Sequence, residues 1–156
     1  MEIIVMIEAV SAQTLPEVLP LIRQYQEFYK IADISDAKNA EFFAQFGEAN
    51  PAGCQFLYRD NETNRVLGFA TVYLTFSSTI AAKVGVLNDL YTLAESRSKG
   101  VGRALIEHAR QYAAKHGATR LQWVTAPDNS LAQALYNSLD AQQRVWHFYT
   151  YSTAHH

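Results

Sequence analysis

Leu87-Asn88-Asp89-Leu90-Tyr91-Thr92, followed from position 97 by Arg97-Ser98-Lys99-Gly100-Val101-Gly102-Arg103, is the stretch whose reading decides how this chain folds. The first piece ends a run, Val84 to Leu93, of β-type composition. The second is a glycine-bearing turn. It opens a segment, Arg103 to His116, whose apolar positions Leu105, Ile106, Ala109, Tyr112 and Ala113 follow the helical period. A strand that turns through glycines into a helix leaves unpaired backbone N–H groups at the positive helix end, a place suited to phosphate. Gly100 and Gly102 let main chain approach an anion closely, and Arg97, Lys99 and Arg103 surround the turn with positive charge.

Toward the N-terminus, Val66 to Phe76 and Gln55 to Arg59 read as two further strands joined by the polar turn Asp60 to Asn64, which makes an antiparallel meander with Val84 to Leu93. Two helices precede it. One starts with Thr14 as N-cap, Pro16 in the first turn and Glu17 three residues after the cap. It carries Leu15, Val18, Leu19, Ile22, Tyr25, Phe28 and Tyr29. The other runs from about Ser35 to Gly47, and Glu2 to Glu8 reads as a first strand. Toward the C-terminus the expectation is a strand at Arg120 to Thr125, a helix at Ser130 to Leu139 capped by Asp128 and Asn129, and a last aromatic strand at Arg144 to Ser152. The order β, α, α, β, β, β, α, β, α, β implies an α/β fold of the α+β type. Its mixed sheet has antiparallel strands first, then one parallel crossover, and about four flanking helices.

A chain of 156 residues with 49% hydrophobic and 18% charged residues suits one packed domain over 1–156 and excludes wholesale disorder. The net charge of −2 lacks the basic footprint of a nucleic-acid binder. Met1 to Val10 has neither the basic start nor the cleavage site of a signal peptide, and no run is long enough for a bilayer, so a cytoplasmic protein without a membrane partner is expected. Cys54 is the one cysteine and reads as a small buried hydrophobe. His108, His116 and His147 lack ligand spacing, so no metal is expected.

Other phosphate-binding motifs fit poorly. The third glycine of a dinucleotide fingerprint is replaced by Leu105, the antiparallel run is wrong for that fold, and there is no Gly-Lys-Ser or Gly-Lys-Thr. Instead the strand leading into Arg97-Ser98-Lys99-Gly100-Val101-Gly102, together with Asn129, Ala132, Leu135 and Tyr136 further on, resembles the two signatures of the GNAT superfamily of N-acetyltransferases: R/Q-x-x-G-x-G/A, and an N-x-x-A-x-x-L-Y helix. The element order agrees over nearly the whole chain, the first 50 residues in outline. The Asn88-Asp89-Leu90-Tyr91 stretch and the tyrosine helix look closest to diamine and polyamine acetyltransferases.

The resemblance implies the GNAT acyl-CoA N-acyltransferase fold, with acetyl-CoA as co-substrate in a cleft where Val84 to Leu93 splays from Arg120 to Thr125. Main-chain groups of Leu90 and Thr92 would pair with the pantetheine arm, and the N–H groups from Ser98 through Lys99, Gly100, Val101 and Gly102 to Arg103 would hold the pyrophosphate. Asn129 would bond the arm from the other wall. Direct attack of an amine on the thioester needs a base, an oxyanion donor and an acid. Tyr136 is the candidate acid, and a backbone N–H near Tyr91 or Thr92 the oxyanion donor. Family members often carry a glutamate where this chain has Asn88. Asp89 is adjacent, but alternation turns it to the opposite face unless a bulge intervenes. Two proton routes therefore stand: Asp89 as base or substrate anchor, or a water chain with Asn88 orienting one water.

Tyr25, Phe28, Tyr29, Asp33 and Asp36 lie near the junction of the first two helices. Carboxylates beside aromatics suit a cationic amine, and they equally suit a turn and a helix cap. The primary amine of a small molecule leads as acceptor. A peptide or protein N-acetyltransferase and a non-catalytic acyl-CoA-binding module are the alternatives. The aromatic stretch Trp146 to Tyr151 offers a face for a homodimer.

Overall fold

In the computed structural model, which describes residues 6–154, the chain order is β1 (Ile7–Ala9), α1 (Leu15–Phe28), α2 (Asp36–Phe43), β2 (Gly53–Arg59), β3 (Val66–Ser77) and β4 (Ala82–Thr92). A 3-10 turn (Ala94–Ser96), α3 (Val101–Lys115), β5 (Leu121–Gln122) and α4 (Ser130–Asn137) follow. Of the expected strand Glu2 to Glu8, positions 2–5 lie outside the described residues. Residues up to Val124 form one unit and those from Thr125 onward a second, which contains α4.

The sheet order is β1-β2-β3-β4-β5, antiparallel through β4, with β5 joined to β4 in parallel. That is the expected antiparallel set with one parallel crossover. The β3–β4 ladder is the longest, from Gly68 opposite Thr92 to Ser77 opposite Ala82, and it contains one irregularity: Thr71 faces Asp89 while Val72 faces Leu87. Asn88 is thus the extra residue of a β-bulge.

Helices cover both faces of this sheet. The apolar stripe of α1, with Leu15, Val18, Leu21 and Ile22 buried, packs into a core with Leu57, Val66, Phe69 and Leu93 from the strands and Phe43 from α2. Gln26 and Asn39 exchange two hydrogen bonds, at 2.9 and 2.7 Å, and tie α1 to α2. On the opposite face α3 buries Val101, Leu105, Ile106, Ala109, Tyr112 and Ala113. Its approach is close because two strands present glycine to it. A Cβ at Gly68 would stand 3.1 Å from Val101 and 3.2 Å from Leu105, and one at Gly85 would stand 2.8 Å from the Ala113 Cβ. Cys54 is buried, and burial pushes its thiol up to about 11, in keeping with a packing role.

Three expectations need correction. Thr14 and Glu17 do not form a capping box: the Thr14 hydroxyl accepts from the Ser11 N–H at 2.9 Å, and Glu17 is gripped by both terminal nitrogens of Arg59, each at 2.9 Å. A tertiary ion pair has taken the side chain that a local cap would use. The strand expected at Arg120 to Thr125 shrinks to Leu121–Gln122, where β4 pairs with it. The strand expected at Arg144 to Ser152 does not form. A strand needs a neighbour for its main-chain groups, and among the described residues of its own unit no backbone hydrogen bond joins 140–154 to other main chain.

The Gly85 contact is checkable. Gly85→Val forces a side chain against Ala113 and, at 3.3 Å for its first carbon, against Leu121. Overpacking of this kind costs about 1–3 kcal/mol. Urea unfolding should show a lowered midpoint, and an unchanged midpoint would mean that α3 is free to lift from the sheet.

Candidate functional site

The end of β4 has one paired and one open edge. The Leu93 N–H donates to the Leu67 carbonyl at 2.9 Å. Antiparallel pairing alternates bonded and non-bonded positions. With Tyr91 opposite Phe69 and Thr92 opposite Gly68, Tyr91 therefore turns its main chain into the ladder, while Leu90 and Thr92 turn theirs away from β3. On that other side β5 pairs only with Gly85 and Val86. The main-chain groups of Leu90 and Thr92 consequently face an edge on which, among the described residues, no strand pairs beyond Val86. Of the two oxyanion donors considered from sequence, the Thr92 N–H faces the open edge, whereas the Tyr91 N–H does not.

Just beyond this edge α3 begins. Among the described residues, the N–H groups of Ser98, Lys99, Gly100, Val101 and Gly102 meet no backbone carbonyl. Ser98 and Gly100 both take positive φ, 67° and 84°, the left-handed conformation that occurs in anion-binding nests. A Cβ at Gly100 would meet nothing within 4 Å, so the space over the turn is open. Arg97, Lys99 and Arg103 bring positive charge to the same turn. Amides, a helix N-terminus and cations together form a donor set suited to a diphosphate.

The bulge places Asp89 on the face of the sheet that carries α1. Gln55, Thr71 and Asp89 lie directly opposite one another on β2, β3 and β4 and form a buried polar row. The Gln55 amide donates to the Thr71 hydroxyl at 3.3 Å. The Asn88 amide donates to the Asp89 carboxylate at 3.0 Å. Tyr25, whose hydroxyl lies 3.4 Å from the Asn88 carbonyl oxygen, closes the site from α1. Asp89 is 7% exposed, and this desolvation raises its pKa against the opposing pull of hydrogen bonds from Thr71, Tyr25 and Asn88. Burial that raises the proton affinity of a carboxylate is one of the physical ways in which a group is prepared to take up a proton.

Near the α1–α2 junction Tyr25, Tyr29 and Phe28 form edge-to-face pairs at 5.0 and 5.1 Å, with Tyr29 and Phe28 exposed. Asp36, at the start of α2, accepts from Arg23 Nε at 2.9 Å. Its charge is therefore already engaged. Asp33 sits at a positive φ of 56° and makes no ion pair among the described residues. In the second unit Asn129 caps α4, its side chain accepting from the Ala132 N–H at 3.2 Å, and Tyr136 lies on the same helix, half-buried. Within the buried row the sequence singled out Asp89 but not Gln55 or Thr71. Their only sign was a polar side chain within each of two apolar strands.

Comparison with known proteins bears on the same regions. The model of the acetyltransferase (GNAT) family matches residues 19–140. The chain is 35% identical over 119 residues to an uncharacterized N-acetyltransferase, YhfO, of Bacillus subtilis, covering 76% of this chain and 77% of that protein. It is 34% identical to the D-amino-acid N-acetyltransferase HPA3 of Saccharomyces cerevisiae, covering 76% of this chain and 73% of the yeast protein. Over 94% of this chain and 92% of its relative, it is 26% identical to the thialysine N-epsilon-acetyltransferase of Bos taurus. A crystal structure of a probable acetyltransferase superposes with a TM-score of 0.81 at 28% identity, covering 96% of this chain and 99% of its own.

Burial of Asp89 has a consequence for stability. Its folded pKa lies above that of the unfolded chain, so its contribution is fully present below the unfolded value and is lost as pH rises through the folded one. Between about pH 4, where a free aspartate titrates, and neutrality, the wild type should lose stability relative to Asp89→Asn. Urea midpoints measured across that range check this, and parallel curves would show that Asp89 is not desolvated.

Proposed function

Since the chain belongs to the GNAT family of acetyltransferases and is an acetyl-CoA-dependent N-acetyltransferase, we propose that it acetylates the primary amine of a small molecule, by direct attack in a ternary complex. In this reading the whole of residues 1–156 works as one N-acetyltransferase domain, in the cytoplasm. The observation that carries it is the open edge at Leu90 and Thr92, continuous with the unpaired amides from Ser98 to Gly102. The names of two relatives, one acting on D-amino acids and one on thialysine, support a small amine as acceptor.

Acetyl-CoA, when bound, supplies a thioester carbonyl for attack. The amides of Ser98 to Arg103 hold its diphosphate, and Leu90 and Thr92 pair main chain to main chain with the pantetheine. The Thr92 N–H faces the negative charge that develops on the thioester oxygen. Asp89 takes the proton of the amine, directly or through a water that Asn88 orients, because its raised pKa brings it nearer to the working pH. Tyr136 gives a proton to the departing thiolate and Asn129 bonds the pantetheine, both assigned by their place in the second motif. The exposed rings of Phe28 and Tyr29, with Asp33, favour a cationic acceptor at the α1–α2 junction.

One specific feature favours a second reading. Asn88 stands where family members often carry glutamate, and an amide takes no proton, so a module that binds acyl-CoA without turnover is the competitor. Thiol release measured with acetyl-CoA over polyamines, amino acids and peptides separates the possibilities. Release with small primary amines is expected. Release with peptides alone would identify a peptide acetyltransferase, and calorimetric binding of acetyl-CoA without release would identify the module.

Two substitutions test the roles. Asp89→Asn should lower kcat/KM by roughly 10²–10⁴, the range for a positioned base, and abolish the decline of activity toward low pH. Unchanged turnover would leave water as the sole proton route. Tyr136→Phe should lower turnover while calorimetry shows nearly unchanged acetyl-CoA affinity. An equal fall in affinity would make Tyr136 a packing residue.

A further inference from the structure

Two polar side chains stand inside strands that are otherwise apolar around them. Gln55 lies between Cys54 and Phe56 on β2, and Thr71 between Ala70 and Val72 on β3, all of them buried. An apolar pair of the same shape would fill this layer with no polar atoms to satisfy. Alternation puts both on the face of Leu57 and Phe69, which pack against α1. The register sets Gln55 opposite Thr71, and Thr71 opposite Asp89.

The direction of the hydrogen bonds matters more than their number. Gln55 Nε2 donates to Thr71 Oγ1 at 3.3 Å. A hydroxyl owns a single proton. With Gln55 as donor, that proton is left for Asp89, which accepts it. Turned over, the amide would present its oxygen, draw the hydroxyl proton to itself and leave Asp89 with one donor fewer. In the structure Gln55 Oε1 instead stays buried and without a partner among the described residues.

We infer that Gln55 and Thr71 are positioning residues for the reaction, the Gln55 amide keeping the Thr71 hydroxyl turned so that it donates to the Asp89 carboxylate. This role rests on the reading of Asp89 as proton acceptor. Both residues act through Asp89 and not on the reacting atoms. A hydrogen bond to the ionised form favours that form. Thr71 therefore opposes the desolvation that raises Asp89, and keeps the carboxylate ready to accept a proton down to a lower pH. The other titratable groups on this face are tyrosines. Tyr25 from α1 also donates to Asp89, and Tyr91 on β4 donates to Gln24 at 2.9 Å. Tyr73 on β3 has a phenol that burial and the Asp89 charge push up to about 12, so it stays neutral while Asp89 titrates.

The test follows Asp89 in the full chain. Aspartate carboxyls labelled with carbon-13, with Asp89→Asn to assign the signal, report its titration by NMR. The acid limb of kcat/KM is measured beside it, with acetyl-CoA and the small primary amine that gives the fastest thiol release. Thr71→Val, of the same shape but without the donor, should move both upward by about one pH unit. At a pH below the limb this lowers kcat/KM roughly tenfold. Thr71→Ser should restore the wild-type values. Gln55→Met leaves Thr71 in place and should shift both in the same direction by less, and it serves as the second variant should Thr71→Val misfold. A merely structural role would change the urea midpoint and leave the titration where it was. An Asp89 titration unmoved in the variants that fold, or moved as far by Thr71→Ser as by Thr71→Val, would overturn the inference. A titration that moves while the kinetic limb stays would uphold the hold of the pair on Asp89 and remove Asp89 as the base, so the two failures are told apart.

Discussion

The pairing of β3 with β4 is the constraint on which the site depends, because a single extra residue in it sets the direction of everything downstream. Up to Leu87, opposite Val72, β4 keeps simple alternation. After Asn88 the alternation is reset, and Asp89 stands opposite Thr71 on the face shared with Phe69 and Tyr91. Without the bulge a carboxylate at 89 would project toward α3, into a layer held tight by Gly68 and Gly85. The bulge also decides which main-chain groups reach the open edge. Leu90 and Thr92 face it because Tyr91 and Leu93 are committed to β3.

A buried carboxylate with no cation beside it is costly, and the sheet offsets this with neutral donors. Thr71 is the pivot: one hydroxyl accepts from Gln55 and donates to Asp89, so the row passes polarity from β2 to β4 across the sheet. Gln55 keeps a buried Oε1 without a partner among the described residues.

How much of this was legible in the sequence varied with the range of the forces involved. The glycine turn and α3 are local, set by Gly100, Gly102 and the apolar stripe from Leu105 to Ala113, and the reading placed them well. The meander was equally plain, because β-branched runs broken by Asp60 to Asn64 leave few alternatives. The bulge at Asn88 was not legible, since nothing in the chemistry of Asn88-Asp89 distinguishes an extra residue from a paired one until β3 supplies the register. Glu17 misled for a related reason: its spacing from Thr14 suits a cap, yet Arg59 lies within reach across the fold. The stretch 144–152 shows the opposite failure. Its composition is that of a strand, but composition does not say which edge receives it.

The change from glutamate to Asn88 need not remove basic chemistry, because a bulge alters what neighbouring positions mean. On a regular strand, positions 88 and 89 would face opposite layers, and moving a carboxylate by one residue would move it to the other side of the sheet. At a bulge two residues oppose one partner, and both lie close to the same point of the ladder. Here the Asn88 amide reaches the Asp89 carboxylate at 3.0 Å, so the amide acts as a donor to the acid beside it. That arrangement holds the carboxylate next to the open edge of β4 while leaving its proton affinity raised by burial. It is consistent with the roles proposed above, Asp89 as proton acceptor and Asn88 as the residue that orients a water.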